Sequence, residues 1–425
     1  MARARQPHTH VTQLRSGLRV VTERVPTALS VAVGVWVGVG ARDEPDALSG
    51  VSHFLEHLLF KGTEERSAHD IAAAVDRVGG DMNAFTAKEY TAYYCRLPAE
   101  HLALGVELLG DVLTAPALRD SDVENERQVI LEELAMDDDL PENVVHRLLA
   151  EAVFPDHPLG RDAGGTPDSV EAITPDDVRS FFRQWYHPAS MVVAVAGALD
   201  HEQAVVEVER RFPVDVTAAR PVRESPQGTP RPVVIDRRRG EQAHIALGVR
   251  GVAREDDDRE ALDVANHVLG GGPSSRLFDE IREQRGLAYA VGSGTSSYHD
   301  AGMLTISVGT GPAQVPEVLG LIDDELAKLV ADGITAPELE GATGYLTGAY
   351  VMGLEDNGSR MARLGALLTT TGAVRSVEEQ LARWRRVTAA DVTKAIRRVL
   401  DQPRSLAVVG PVSEAAVRGK RPRSA

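Results

Sequence analysis

Residues 53–57 read His53-Phe54-Leu55-Glu56-His57, and no other stretch of the chain limits its fold as much. On a helix, positions i, i+3 and i+4 share one face, so His53, Glu56 and His57 project into the same space. Their neighbours Val51, Phe54, Leu55, Leu58, Leu59 and Phe60 are apolar, which marks a helix enclosed by protein. Two imidazoles and a carboxylate buried without partners would be costly, so the fold must engage all three. A set of satisfied core polar groups is one solution. A metal is the other: neutral imidazoles ligate zinc, a catalytic zinc usually keeps three protein ligands and one water, and a carboxylate beside that water can take its proton. With 13 His in 425 residues, chance produces this word on the order of a few hundredths of a time per chain.

A third protein ligand has to come from another element. Residues 124–134, Glu-Asn-Glu-Arg-Gln-Val-Ile-Leu-Glu-Glu-Leu, form helix readily. At about 100° per residue, Glu126 and Glu133 fall nearly in line with Val129 and Ile130 beside them, while Glu132 drops to the edge of that face. Glu133 is the better inward carboxylate. From these residues alone, an acid-rich surface helix reads equally well.

The rest of the chain sets bounds. At 425 residues, 43% hydrophobic and 26% charged, it is long for one domain and has material for two cores. Residues 213–232 hold five prolines and Gly228 without apolar periodicity, which predicts an interdomain linker between residues 1–212 and 233–425; a long surface loop is the alternative. The two halves follow one script. Residues 19–23 and the alternating Val31, Val33, Val35, Val37 and Val39 predict strands before the histidine helix. Residues 233–236 and 243–249 repeat this before an apolar helix over 261–269. That second helix carries His267 alone, so the chain reads as a diverged duplication with chemistry in the first copy and His267 as a satisfied histidine.

The lone Cys95 excludes an internal disulfide and reads as a core residue. Arg3 and Arg5 are followed by Gln6, His8, Thr9 and His10 with no apolar run, so no secretory signal is predicted, and the apolar stretch at 28–39 is too short and glycine-rich to span a membrane. The expectation is a cytoplasmic protein without a membrane partner. A net charge of -17 argues against nucleic acid and would weakly attract basic ligands. The acidic runs at 137–139 and 255–258 read as solvated faces.

H-x-x-E-H is the zincin helix word inverted. Followed 76 positions beyond His57 by the second Glu of Glu132-Glu133, it resembles the pitrilysin-type zinc peptidases, in particular the mitochondrial processing peptidases and their bacterial homologues. Residues 79–86, Gly-Gly-Asp-Met-Asn-Ala-Phe-Thr, resemble that family's glycine turn and edge strand. Residues 270–278, Gly-Gly-Gly-Pro-Ser-Ser-Arg-Leu-Phe, running on to Arg282 and Tyr289, resemble its second-half motif. The resemblance implies an α+β architecture of two similar halves, each a mostly antiparallel sheet with helices on one face, closing like a clamshell around an extended peptide. It implies one Zn2+ per chain held by His53, His57 and Glu133, with Glu56 as general base and Glu126 behind the ligands. Asn83 and Ala84 would pair with substrate. Arg282 and Tyr289 would reach the substrate carbonyl and the developing oxyanion from the second half. The chemistry agrees, since amide hydrolysis needs an activated water, a base and an electrophilic clamp. One departure concerns substrate: where the processing peptidases place acids for a substrate arginine, ten and fourteen positions beyond Glu133, this chain has Asn143 and Arg147.

The sequence therefore predicts a zinc-dependent endopeptidase acting on peptides or unfolded segments, with a homodimer as the expected assembly. One alternative is a precursor-processing peptidase with a dedicated substrate. The other is a non-catalytic scaffold or binding subunit of the same family, against which the intact site weighs.

Overall fold

The computed structural model describes residues 8–214 and 220–418, so residues 215–219 of the expected linker lie outside the described part. The first sheet contains β1 (His8–Gln13), β2 (Arg19–Arg24), β3 (Ser30–Val37), β4 (Asp81–Thr86), β5 (Thr91–Pro98) and β6 (Met191–Gly197), in the order β1-β2-β6-β3-β5-β4. Only β2 and β6 run parallel. The second contains β7 (Val233–Asp236), β8 (Ala243–Gly251), β9 (Ala288–Ser297), β10 (Gly302–Thr310) and β11 (Arg404–Val409), in the order β7-β11-β8-β10-β9, with β7 and β11 as its parallel pair. Setting β1 aside, the two orders correspond strand for strand. The α+β class and the two similar halves are as the sequence predicts.

The alternating valines form the expected strand β3, and both of its faces are buried. Val31, Val33, Val35 and Val37 enter the main core with the helices Val51–Leu59 and Leu102–Thr114. On the opposite face Ala32 and Trp36 meet Met361, Leu364 and Leu368 of the helix Asn357–Thr371. Each of these three side chains, if exposed in the unfolded chain, contributes about 1.5–3 kcal/mol on burial. A Cβ at Gly365 would lie 2.1 Å from Trp36 Cε3, so only glycine lets this helix approach the sheet. In the second sheet the corresponding face carries the helix Pro141–Val153, whose Val145, Leu149 and Val153 pack with Ala246, Ala407 and Val409.

The sequence division is thereby corrected in two places. Among the described residues, one compact unit comprises 8–134, 162–214, 220–223 and 352–375; the other comprises 135–161, 224–351 and 376–418. Each unit takes one helix from the other half of the sequence, because each sheet has a second apolar face to cover. The described flanks of the linker are strapped down. Arg223 binds the Asp43 carboxylate through two donors at 2.8 Å and the Glu89 carbonyl at 2.7 Å, and the Arg231 N–H donates to Ala152 O at 2.7 Å. Cys95 is buried, and burial pushes its thiol up to about 12. Among the described residues no helix is long and apolar enough to cross a membrane.

The helix Asn357–Thr371 is also held by charge. Glu23 on β2 is buried and accepts from Arg363 Nη2 at 2.6 Å and from Arg360. Glu23→Ala leaves these guanidinium groups without their anion and should cost about 3–5 kcal/mol. Denaturant unfolding of both proteins measures this, and a loss under about 0.5 kcal/mol would show that the clamp does not hold the helix.

Candidate metal centre

The helix Val51–Leu59 begins at Gly50, which has φ +95° and leaves no room for a side chain, since a Cβ there would lie 2.6 Å from Gly164 O. The buried Glu44 carboxylate accepts the N–H groups of Gly50 at 2.8 Å and Ser52 at 2.7 Å. It thus satisfies donors in the opening turn and sets a negative charge at the positive end of the helix. Val51, Phe54, Leu55, Leu58 and Leu59 are buried, so the helix cannot turn about its axis, and the partly exposed His53, Glu56 and His57 face one way.

The helix Asp120–Asp138 supplies the opposing carboxylates. Its buried stripe is Val123, Glu126, Arg127, Ile130 and Leu134. Val129, expected beside Ile130 on that face, is instead 49% exposed, because the stripe is centred between Glu126 and Arg127 and Val129 falls outside it. Glu133 therefore stands at the rim with its side chain 48% exposed, and Glu132 points further round into solvent. Arg127 ties the two helices to their surroundings. It donates to the carbonyls of Val170 and Ile173 and lies 5.5 Å from the centre of the Phe54 ring.

The two helices bring His53, His57 and Glu133 together, with one donor atom of each within 4.8 Å of the others. Glu133 Oε2 lies 3.7 Å from His53 Nε2 and 3.5 Å from His57 Nε2. Those separations suit zinc: two ligands about 2.1 Å from a tetrahedral ion stand about 3.4 Å apart. His57 Nδ1 pairs with Glu126 Oε2 at 3.2 Å, which turns Nε2 toward Glu133, and Glu126 Oε1 meets Lys61 Nζ at 2.6 Å. Lys61 escaped the sequence reading; its i+4 spacing from His57 was the one available signal. Glu56 Oε2 accepts the Thr86 hydroxyl at 2.6 Å. Burial pushes the Glu56 carboxyl above its ordinary range, the Thr86 bond and His57 oppose that rise, and Glu133 adds to it.

Asn83 and Ala84 lie on β4, the terminal strand of its sheet, and the Ala84 N–H donates to Asn83 Oδ1 at 2.8 Å. Arg282 and Tyr289 belong to the second unit and are gathered with each other. Arg282, in the π-helical turn Phe278–Glu283, sits 4.7 Å from the Phe278 ring centre and 5.0 Å from that of Tyr289, which is 81% exposed. Both line a cavity of about 570 Å³ together with His146 and His244. His267, on the helix Arg259–Gly270, stacks on Tyr345 with ring centres 4.2 Å apart, and burial lowers its pKa. Among the described residues it joins no cluster of metal-ligating side chains.

Comparison with known proteins bears on these residues. A family model described as insulinase (peptidase family M16) matches residues 19–166, which include His53, Glu56, His57 and Glu133. A second, described as the peptidase M16 inactive domain, matches residues 172–344, where the helix bears only His267. An uncharacterized zinc protease of Streptomyces coelicolor is 46% identical over 95% of this chain and 90% of its own length. One of Bacillus subtilis is 36% identical over 93% and 97%. The fold matches that of a protease from Helicobacter pylori with a TM-score of 0.87 at 22% identity, covering 96% of this chain and all of that one. A Pseudomonas fluorescens protein described as a peptidase M16 inactive domain matches at 0.89 and 20%, covering 96% and 98%.

The geometry separates three neighbouring carboxylates. Glu133→Ala should abolish stoichiometric zinc binding, Glu126→Ala should weaken it by about 10–100-fold through loss of the His57 partner, and Glu132→Ala should leave it within about twofold. Zinc titration of the purified variants measures this. Loss of metal in Glu132→Ala with retention in Glu133→Ala would move the ligand by one residue.

Proposed function

The chain belongs to the insulinase family of zinc peptidases (family M16), and we propose that it is itself a zinc-dependent endopeptidase that cleaves peptides or unfolded segments held in an extended conformation. The observation that carries this reading is the convergence of His53, His57 and Glu133 around one point with Glu56 on the same helix face. His53, His57 and Glu133 would hold one zinc, and the bound ion would polarise the scissile carbonyl and acidify a water. Glu56 takes the proton from the attacking water and returns it to the leaving amine. Glu126 and Lys61 hold the His57 ring. Substrate backbone pairs along the open edge of β4, where the Ala84 N–H is provisionally held by Asn83, a mode that favours extended chains over folded ones. Arg282 and Tyr289 are proposed to bind the substrate carbonyl and the developing oxyanion.

The rival reading is a non-catalytic scaffold subunit, and the complete set of ligands and base supports activity over it. For the substrate, the positions expected to receive an arginine are otherwise engaged. Asn143 Nδ2 donates to Asp137 at 3.1 Å, and Arg147 Nη2 donates to Asp138 at 2.5 Å and carries positive charge. This favours a general peptide-degrading role over arginine-directed processing. A cytoplasmic setting, a homodimer and the absence of nucleic-acid and membrane partners complete the proposal.

Incubation of the purified protein with a mixed peptide library, with and without a chelator, tests the activity. Chelation should abolish cleavage, zinc should restore it, and Glu56→Gln should keep the metal while losing roughly 10³-fold or more of kcat. Cleavage by Glu56→Gln at the wild-type rate would remove Glu56 as the base. Two further variants separate binding from chemistry. Ala84→Pro deletes an edge N–H and should raise KM by about tenfold or more with zinc retained, whereas Tyr289→Phe should act on kcat, by on the order of 10–10³-fold. Unchanged kinetics in either variant would withdraw that residue from the site.

A further inference from the structure

The hydroxyl that touches Glu56 comes from a strand that the zinc-binding residues do not require. On β4, Met82, Ala84 and Thr86 alternate with the more exposed Asp81, Asn83 and Phe85. Met82 and Ala84 pack against the main core, and Thr86 delivers its hydroxyl to Glu56 Oε2 at 2.6 Å. The helix under Glu56 is immobilised by its buried residues, but its carboxylate ends a chain of three rotatable bonds. Leaving such a side chain unheld preserves about 1.5–2 kcal/mol of rotamer freedom, which blurs the direction of a proton acceptor.

Thr86 is well suited to remove that freedom. Being β-branched, it has few χ1 choices in a strand. Its backbone is paired with Thr91 on β5, and the following turn is fastened on several sides: Ala87 N–H to Tyr90 O at 2.9 Å, Ala41 N–H to Ala87 O at 3.1 Å and Arg42 N–H to Lys88 O at 2.8 Å. The Thr91 hydroxyl also donates to Val39 O at 3.0 Å. The donor is thus carried on a rigid support.

We propose that Thr86 is a positioning residue: its hydroxyl holds the Glu56 carboxylate in one orientation through Oε2, leaves Oε1 to take the proton, and does so from the strand whose open edge receives the substrate. This rests on the peptidase reading above and adds a residue and a coupling that the reading does not contain. A peptide added to β4 lies against the element that aims the base, so docking and base geometry share one support.

Thr86→Val keeps shape and removes the donor, while Thr86→Ser keeps the donor. Thr86→Val should lower kcat by about 10–100-fold with KM within about twofold and with zinc content and melting temperature unchanged, and Thr86→Ser should stay within about threefold of wild type. Full kcat in Thr86→Val, a loss confined to KM, loss of zinc, or equal damage in Thr86→Ser would each overturn the assignment. Crystal structures of wild type and Thr86→Val supply a readout independent of turnover. One Glu56 carboxylate orientation is expected in wild type and more than one in the variant, and an unchanged single orientation would overturn the proposal. If zinc-loaded wild type cleaves nothing in the library, the peptidase reading fails, and the crystallographic comparison alone decides whether Thr86 orients Glu56.

Discussion

Burial of the helix Val51–Leu59 is the constraint on which the rest of the first unit depends. With Phe54, Leu55, Leu58 and Leu59 inside the core, His53, Glu56 and His57 have one direction left in which to point. Imidazole and carboxylate groups held that close to an apolar core need partners in fixed positions, since an unpaired buried polar group is expensive. The surrounding elements meet that demand: Glu126 and Glu133 from the facing helix pair with the imidazoles and Thr86 from β4 meets Glu56, while Lys61 closes on Glu126 and Glu44 holds backbone N–H groups at the helix start. The same packing that stabilises the unit therefore aims the groups that would do the chemistry.

The second unit repeats the sheet without a second cluster of metal-ligating side chains among the described residues. Its strands follow the same order, and its counterpart helix Arg259–Gly270 retains one histidine, which is stacked on Tyr345. In the glycine-rich motif that follows, Arg276 has a structural role. Arg276 holds Glu338 through two bonds, at 2.7 and 3.0 Å, and also binds the Gly333 carbonyl, which fastens the start of the helix Ala336–Gly353. Duplication preserves what the core needs, and the polar face of the helix is free to diverge once no ligand has to be held.

The exchange of helices between the sequence halves has a simple cause. In both sheets the central strands carry small apolar residues on the face away from the main core, Ala32, Ala194 and Ala196 in one and Ala246 and Ala407 in the other. Such faces need a cover that approaches closely. Asn357–Thr371 does so through Gly365 against Trp36, and the buried Glu23 charge cluster then fixes its register. The segments that cover these faces lie far away in the chain, which is why the compact units cut across the order of the sequence.

Much of the site was legible because it is local. The i, i+3, i+4 spacing in one helix and the alignment of Glu126 with Glu133 in another depend only on helical periodicity, and a duplicated order of strands and helix is visible as repeated apolar pattern. Periodicity misplaced Val129, because it gives the angle between residues without the direction of the core. It could not show the two-sided burial of β3, since alternation of valines with alanine, glycine and tryptophan reads the same whether or not a helix covers the second face. Glu44 and Thr86 were beyond reach as partners, each having no meaning until the chain brings it against a particular atom, and the i+4 spacing of Lys61 from His57 did not name Glu126 as its partner. The sequence by itself determined the residue types, their helical phase and the duplicated architecture, all set by neighbours along the chain. Only the tertiary structure decided which distant helix closes each sheet and which hydroxyl meets Glu56, because those choices are made by packing across many residues of intervening chain.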